Sequence, residues 1–145
     1  GGDENIVANK TRIEGVLEAY YQYGKSLEKD NIFLNLESRA FVDKAVDDAL
    51  EKKADCIVCL DDAICAHALL ALKEKQISIP KQIRVASFYS SSILENNIPS
   101  ITSLSFDATE LGMKACKNLL SQIDGEKTED KTLLSYEVVL KESTK

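Results

Sequence analysis

Apolar positions along the chain alternate between two spacings. Ile13, Val16, Leu17, Tyr20 and Tyr21 fall at i, i+3, i+4, i+7 and i+8, which predicts an amphipathic helix over residues 9–27, with Gly24 near its end. A short apolar run predicts a strand at 31–36. Phe41, Val42, Ala45, Val46, Ala49 and Leu50 return to the helical period. Cys56-Ile57-Val58-Cys59 is an unbroken apolar stretch within a strand predicted at 54–60, and such runs suit a parallel sheet covered on both faces. A third helix is predicted from 63 to about 75, with Ile64, Ala68, Leu69 and Leu72 in one stripe, and Pro80 closes the loop behind it. Strands at 83–88 and 101–106 bracket a polar loop at 89–99. Asp107, with Glu110 three residues on, has the form of a capping box for a fourth helix carrying Leu111, Ala115, Leu119 and Ile123, and Gly125 is placed to stop it. A charged loop over 126–132 leads to a last strand at 133–140. Helices alternating with apolar strands define an α/β fold with a largely parallel sheet flanked by helices. Sheets of this kind bind small ligands at the carboxyl ends of their strands.

The 145 residues suffice for one core, and 44% of them are apolar, as in an ordinary globular domain. No apolar run reaches the ~18 residues that a membrane helix needs. Residues 1–10 lack the basic start and apolar middle of an export signal. A net charge of −6 without a basic face argues against nucleic-acid binding by this chain itself. Cys56 and Cys59 have CxxC spacing, but within a strand i and i+3 point to opposite faces, which a zinc or redox clasp cannot use. They read, with Cys65 and Cys116, as structural thiols, and a reducing, cytoplasmic compartment fits them. His67, the only histidine, stands without a Ser, Cys or carboxylate motif and reads as a surface or packing residue. The sequence has no Gly-rich phosphate loop, nucleophile elbow or metal cluster, so neither an enzyme nor a metal or cofactor site is expected.

Six segments fall in the order and spacing of one family. Asp61-Asp62-Ala-Ile-Cys-Ala-His-Ala-Leu-Leu-Ala-Leu72 is similar to Asn-Asp-x-x-Ala-x-Gly-Ala-x-x-Ala-Leu of the lactose-repressor (LacI) family. Ile79-Pro80-Lys-Gln-Ile-Arg-Val85-Ala-Ser-Phe88-Tyr89 resembles its Val-Pro-x-Asp-x-x-Val-x-Gly-Phe-Asp. Pro99-Ser-Ile-Thr102-Ser resembles Pro-x-Leu-Thr-Thr, Leu111-Gly112-Met-Lys-Ala115 resembles Leu-Gly-x-x-Ala, and Val139-Leu-Lys141-Glu-Ser143-Thr144 resembles Val-x-Arg-x-Ser-Thr. Near the start, Arg12-Ile-Glu-Gly15 resembles Arg-x-x-Gly-Phe, with Val16 for the aromatic residue. The resemblance covers almost the whole chain. It implies a lobe like those of periplasmic sugar-binding proteins, in which two α/β lobes clasp a small ligand between them. Residues 1–145 look like the C-terminal part of such an effector-binding domain, with residues 101–132 passing through the N-terminal lobe. The DNA-binding headpiece, most of the N-terminal lobe and a central strand preceding Gly1 would lie upstream.

The same resemblance points to ligand contacts. Arg12 matches an arginine that reaches ligand acceptors from a helix start; the alternative is an ordinary solvent-facing helix arginine. Asp61 stands where the family has asparagine at a strand end and could accept two sugar hydroxyls. Asp62 is then the better N-cap for the following helix and a weaker contact. Tyr89 replaces an Asp that often touches ligand; it removes a charge and adds a ring able to stack on a sugar face. Phe88 is expected in the core. Asn35 and Glu37 follow the second strand at a place of frequent contacts, or lie in a solvated loop.

The function implied is that of the effector-sensing domain of a DNA-binding regulator, a repressor by resemblance. It would take a sugar or sugar derivative, dimerise, and reach operator DNA only through the headpiece, with a protein corepressor as a further partner. The alternative within the same fold is a solute-binding receptor of a sugar transporter.

Overall fold

A computed structural model describes all residues 1–145. The chain runs α1 (Val7–Gln22), α2 (Arg39–Glu51), β1 (Cys56–Cys59), α3 (Asp62–Glu74), β2 (Arg84–Ser87), α4 (Ser92–Glu95), β3 (Thr102–Ser105), α5 (Ala108–Ile123) and β4 (Glu137–Val139), with single 3-10 turns at Lys29–Asn31 and Glu142–Thr144. The four strands lie in the order β1-β2-β3-β4. The first two pairings are parallel, with Cys56 opposite Arg84 and Ala86 opposite Thr102. The last is antiparallel, with Leu104 opposite Val138. The largely parallel α/β architecture predicted from the apolar spacing is therefore the observed one. No helix is long and apolar enough to cross a membrane.

The core lies between α2, α3 and the β1–β2–β3 sheet. Val42 and Val46 from α2, Cys65, Ala68, Leu69 and Leu72 from α3, and Cys59, Ile83, Val85, Leu94 and Ile101 form one buried cluster. The α3 stripe inferred from spacing does this packing, apart from Ile64, which is only partly buried against it. Cys59 points inward and Cys56 outward, as strand alternation requires. His67 is exposed.

Turn chemistry sets the helix ends. α1 stops at Gly24 (φ 65°), whose N–H donates to the Tyr21 carbonyl while the Lys25 N–H donates to that of Tyr20. This paired closure needs a left-handed residue, which glycine adopts without penalty, so the helix ends before residue 27. Gly125 (φ 78°) closes α5 in the same way. Asp107 caps α5 as predicted, its Oδ1 accepting from Thr109 N (2.8 Å) and Glu110 N (3.0 Å). The reciprocal half of a capping box is not made, since Glu110 instead pairs with Lys114 at 2.8 Å.

Three expectations need correction. Residues 31–36 form no sheet strand: Phe33 and Leu36 bond Gly1 and Asn35 bonds Gly2, and the backbone breaks at Asn35 (φ 57°). Between this extended segment and β1 lies an apolar slot of about 290 Å³, which separates the two where a ladder would otherwise run. Gly1 sits in its mouth, and a Cβ there would stand 2.5 Å from Leu60 Cδ1. The loop at 89–99 contains α4, which forms because Leu94 is fully buried against the core. The last strand shrinks to Glu137–Val139, because β3 offers it a ladder only over Ser103–Ser105.

The carboxyl-terminal residues latch the sheet. The buried Ser143 hydroxyl donates to the Val85 carbonyl (2.6 Å) and accepts from Thr102 N (2.9 Å), bridging β2 and β3. Thr102 Oγ1 lies 2.6 Å from Thr144 Oγ1 and accepts from Lys141 N at 2.8 Å. Glu142 accepts from Ser100 N and Oγ, which holds its carboxyl below the ordinary range.

Candidate functional site at the carboxyl edge of the sheet

The parallel strands β1 and β2 end side by side, and Phe88 N extends their pairing by donating to the Cys59 carbonyl (3.0 Å). The next residues, Leu60-Asp61 and Tyr89-Ser90, therefore leave the sheet together. The start of α1 faces them. Arg12, one turn into α1, donates from Nη1 to the Leu60 carbonyl (2.9 Å) and from Nη2 to Tyr89 Oη (3.2 Å). Its guanidinium also stacks 5.0 Å from the Tyr89 ring centre and 6.0 Å from that of Phe88. One half-buried side chain thus joins three segments 48 and 77 residues apart in sequence. A solvent-facing helix arginine is excluded.

Asn9, one helical turn before Arg12, is the residue that sequence reasoning missed. It is buried, donates from Nδ2 to the Asp3 carbonyl (2.8 Å), and its Oδ1 accepts from Arg12 Nη1 (3.4 Å). The i, i+3 spacing of Asn9 and Arg12 was the available signal.

The cap of α3 falls to Asp61 and not to the expected Asp62. Asp61, in extended conformation, is the N-cap of α3, with Oδ1 accepting from Ile64 N at 2.8 Å. Asp62 is the first helical residue and caps nothing, because the chain turns helical one residue earlier than its sequence implied. One Asp61 oxygen is thus committed to the helix; Oδ2 makes no hydrogen bond and lies within 3.9 Å of a Cβ built on Gly2, beside the Arg12–Asn9 pair. Phe88 is also corrected. It lies outside the core cluster and half-buried beneath Arg12, because the inward position at the end of β2 is taken by Ser87. Ser87 Oγ accepts from Tyr89 N (3.2 Å) and fixes the turn that presents the Tyr89 ring.

Arg12, Asp61 and Tyr89 are therefore brought to one edge. Asn35 sits at its margin, exposed, with its side-chain oxygen accepting from Glu4 N (3.1 Å). Glu37 is exposed and makes no side-chain bond to the group. The nearby Cys59 thiol is held well above its ordinary pKa by its hydrogen bond with Cys65 and by burial, which leaves it an inert packing group. No group of three His, Cys, Asp or Glu side chains is placed to hold a metal. The apolar slot is a separate feature: nineteen of its 23 lining residues are hydrophobic, a poor match for a polyhydroxyl ligand.

A family profile described as a periplasmic binding protein-like domain matches residues 6–144. The chain belongs to this family. Its curated relatives are HTH-type transcriptional regulators. It is 32% identical over 94 residues to the HTH-type transcriptional regulator IdnR of Escherichia coli K12, covering 63% of this chain and 28% of that protein. It is 26% identical over 116 residues to the HTH-type transcriptional regulator AscG of the same organism, covering 79% of this chain and 34% of that one. The crystal structure of transcription regulator CcpA of Lactococcus lactis superposes with a TM-score of 0.89 at 24% identity, over 99% of this chain and 54% of that chain. That likeness speaks for the periplasmic binding protein-like fold. The chain thus spans about half the length of the solved regulator it matches, and its matched stretches cover less of the curated ones.

Proposed function

We propose that the carboxyl edge of β1 and β2 is the effector site of a LacI-type transcription regulator, and that its ligand is a sugar or sugar derivative. The carrying observation is Arg12, fixed by the Leu60 carbonyl and Tyr89 hydroxyl at the place where parallel sheets bind small molecules. Leu60 O and Asn9 Oδ1 hold Nη1 and Tyr89 Oη holds one N–H of Nη2, so Nε and the second Nη2 hydrogen of its five-donor fork remain for a ligand. Asp61 Oδ2 supplies an acceptor for hydroxyls and the Tyr89 ring a stacking face. Asp62, Asn35 and Glu37 are peripheral contacts at most.

In this reading the site is half of a cleft. The exposed apolar side of α5, with Leu111, Leu119 and Ile123, packs in the N-terminal lobe, and the crossover to it leaves this lobe after Ser103, since Ile101, Thr102 and Ser103 are buried here and β3 pairs with β2. The slot beside β1 receives a strand leading into Gly1. Ligand binding favours one closure of the two lobes and so changes how two headpieces of a cytoplasmic homodimer sit on an operator; the effector must bind one closure better than the other.

The test is thermal melting of the protein in its full-length context against sugars, sugar phosphates and nucleobases. A ligand at about 100 times its Kd stabilises by about 2.7 kcal/mol. The expected result is a melting shift with at least one sugar-like compound, lost in Arg12→Ala. A full panel without any shift overturns the reading.

A further inference from the structure

Three cationic residues of this acidic chain are half-buried as whole residues: Arg12, Lys114 and Lys141. Lys114 has a carboxylate, Glu110, at 2.8 Å. Arg12 and Lys141 have none within ion-pair distance, although 24 Asp and Glu are available. Their partners are neutral oxygens. Arg12 donates to Leu60 O, Asn9 Oδ1 and Tyr89 Oη. Lys141 Nζ lies 3.4 Å from both Ser90 Oγ and Ser103 Oγ. A half-buried cation has lost part of its hydration, and neutral oxygens without a counter-charge compensate that loss only in part.

Both cations converge on consecutive residues of one turn. Arg12 reaches Tyr89 from α1, and Lys141 reaches Ser90 from the segment after β4. Ser91, the next residue, keeps a buried hydroxyl with no partner, a further donor on the same turn. The nearest carboxylates pair with neither cation: Asp61 caps α3 through Oδ1 and keeps Oδ2 for ligand hydroxyls, and Glu95, on an exposed residue, accepts from Ser90 Oγ at 3.2 Å.

We infer that this turn selects an anionic effector, a sugar-derived molecule bearing a carboxylate or phosphate, with Arg12 and Lys141 supplying its counter-charge. The inference rests on the effector reading above and narrows it. Tyr89 fits this role: in place of a carboxylate that would neutralise Arg12, it offers a hydroxyl and a ring face, leaving the positive charge for the ligand. Lys141 is the specificity residue, since its ammonium acts on charge and not on the hydroxyl pattern of a sugar.

The experiment is titration calorimetry on the full-length protein at fixed ionic strength. The probes are matched pairs that differ at one carbon: galacturonate and galactose, glucuronate and glucose, and glucose 6-phosphate and glucose. The expected result is that an anionic member binds about tenfold or more tightly than its neutral partner, the size of a charge-assisted hydrogen bond. Lys141→Gln should erase that ratio, and Lys141→Arg should keep it. The uronates and the phosphate then separate a sugar acid from a sugar phosphate. Equal affinity within the pair that binds, or a ratio untouched by Lys141→Gln in a variant with unchanged melting, overturns charge selection while leaving the effector reading intact. Absence of binding by every member overturns both.

Discussion

α3 and α5 are both amphipathic helices with polar N-caps, yet they end in opposite situations. α3 buries five of its 13 residues, Leu72 completely. α5 is longer, at 16 residues, and buries none; Leu119 is 57% exposed and Ile123 70%. The difference is not one of propensity or capping, because Asp61 and Asp107 each satisfy free N–H groups at their helix starts. It lies in what faces the apolar stripe. α3 has α2 and a parallel sheet beneath it, whereas α5 and β4 project from the one antiparallel edge. Amphipathicity reports that a helix needs a partner, and the fold decides whether this segment of chain provides one.

The comparison can be broken at either end. Leu72→Ala, in the core, should cost about 2–5 kcal/mol in equilibrium denaturation, enough to threaten a domain of this size. A loss below about 1 kcal/mol would mean that the α3 interface is not the centre of stability. Ser143→Ala tests the latch that ties the carboxyl-terminal residues to β2 and β3. It strands Thr102 N and Val85 O and should cost about 1–3 kcal/mol, with faster amide exchange in β2 and β3. Leu119→Ala should change the stability of residues 1–145 by less than about 0.5 kcal/mol, as at other exposed positions. The same substitution should cost several times more in the full-length protein if α5 packs in the N-terminal lobe.

Most of the fold was legible because its elements are set by local pattern. α2, α3, β1 and β2 follow apolar periodicity, and Gly24, Gly125 and Asp107 sit where helix ends require them. The parts that were not legible depend on distant partners. Residues 31–36 carry a strand pattern but lack a ladder, and α4 forms because Leu94 finds a core pocket. At the site, Arg12, Asp61 and Tyr89 could be named from motif order. The fall of the α3 cap to Asp61 and not Asp62, the burial of Asn9 and the approach of Lys141 to Ser90 could not. Each depends on a backbone shift of one residue or on contacts between segments far apart in the chain.

The latch at Ser143 also sets an order of events during synthesis. The carbonyl it binds belongs to a residue 58 positions earlier, and the amide it receives lies 41 positions earlier. While the ribosome is still making residues 106–142, β2 and β3 lack the hydroxyl that bridges them. Long-range closures of this kind come late and slowly. A nascent chain that stalls before residue 143 leaves two buried backbone groups unpaired in its central strands, and so presents proteases with an open sheet instead of a finished domain.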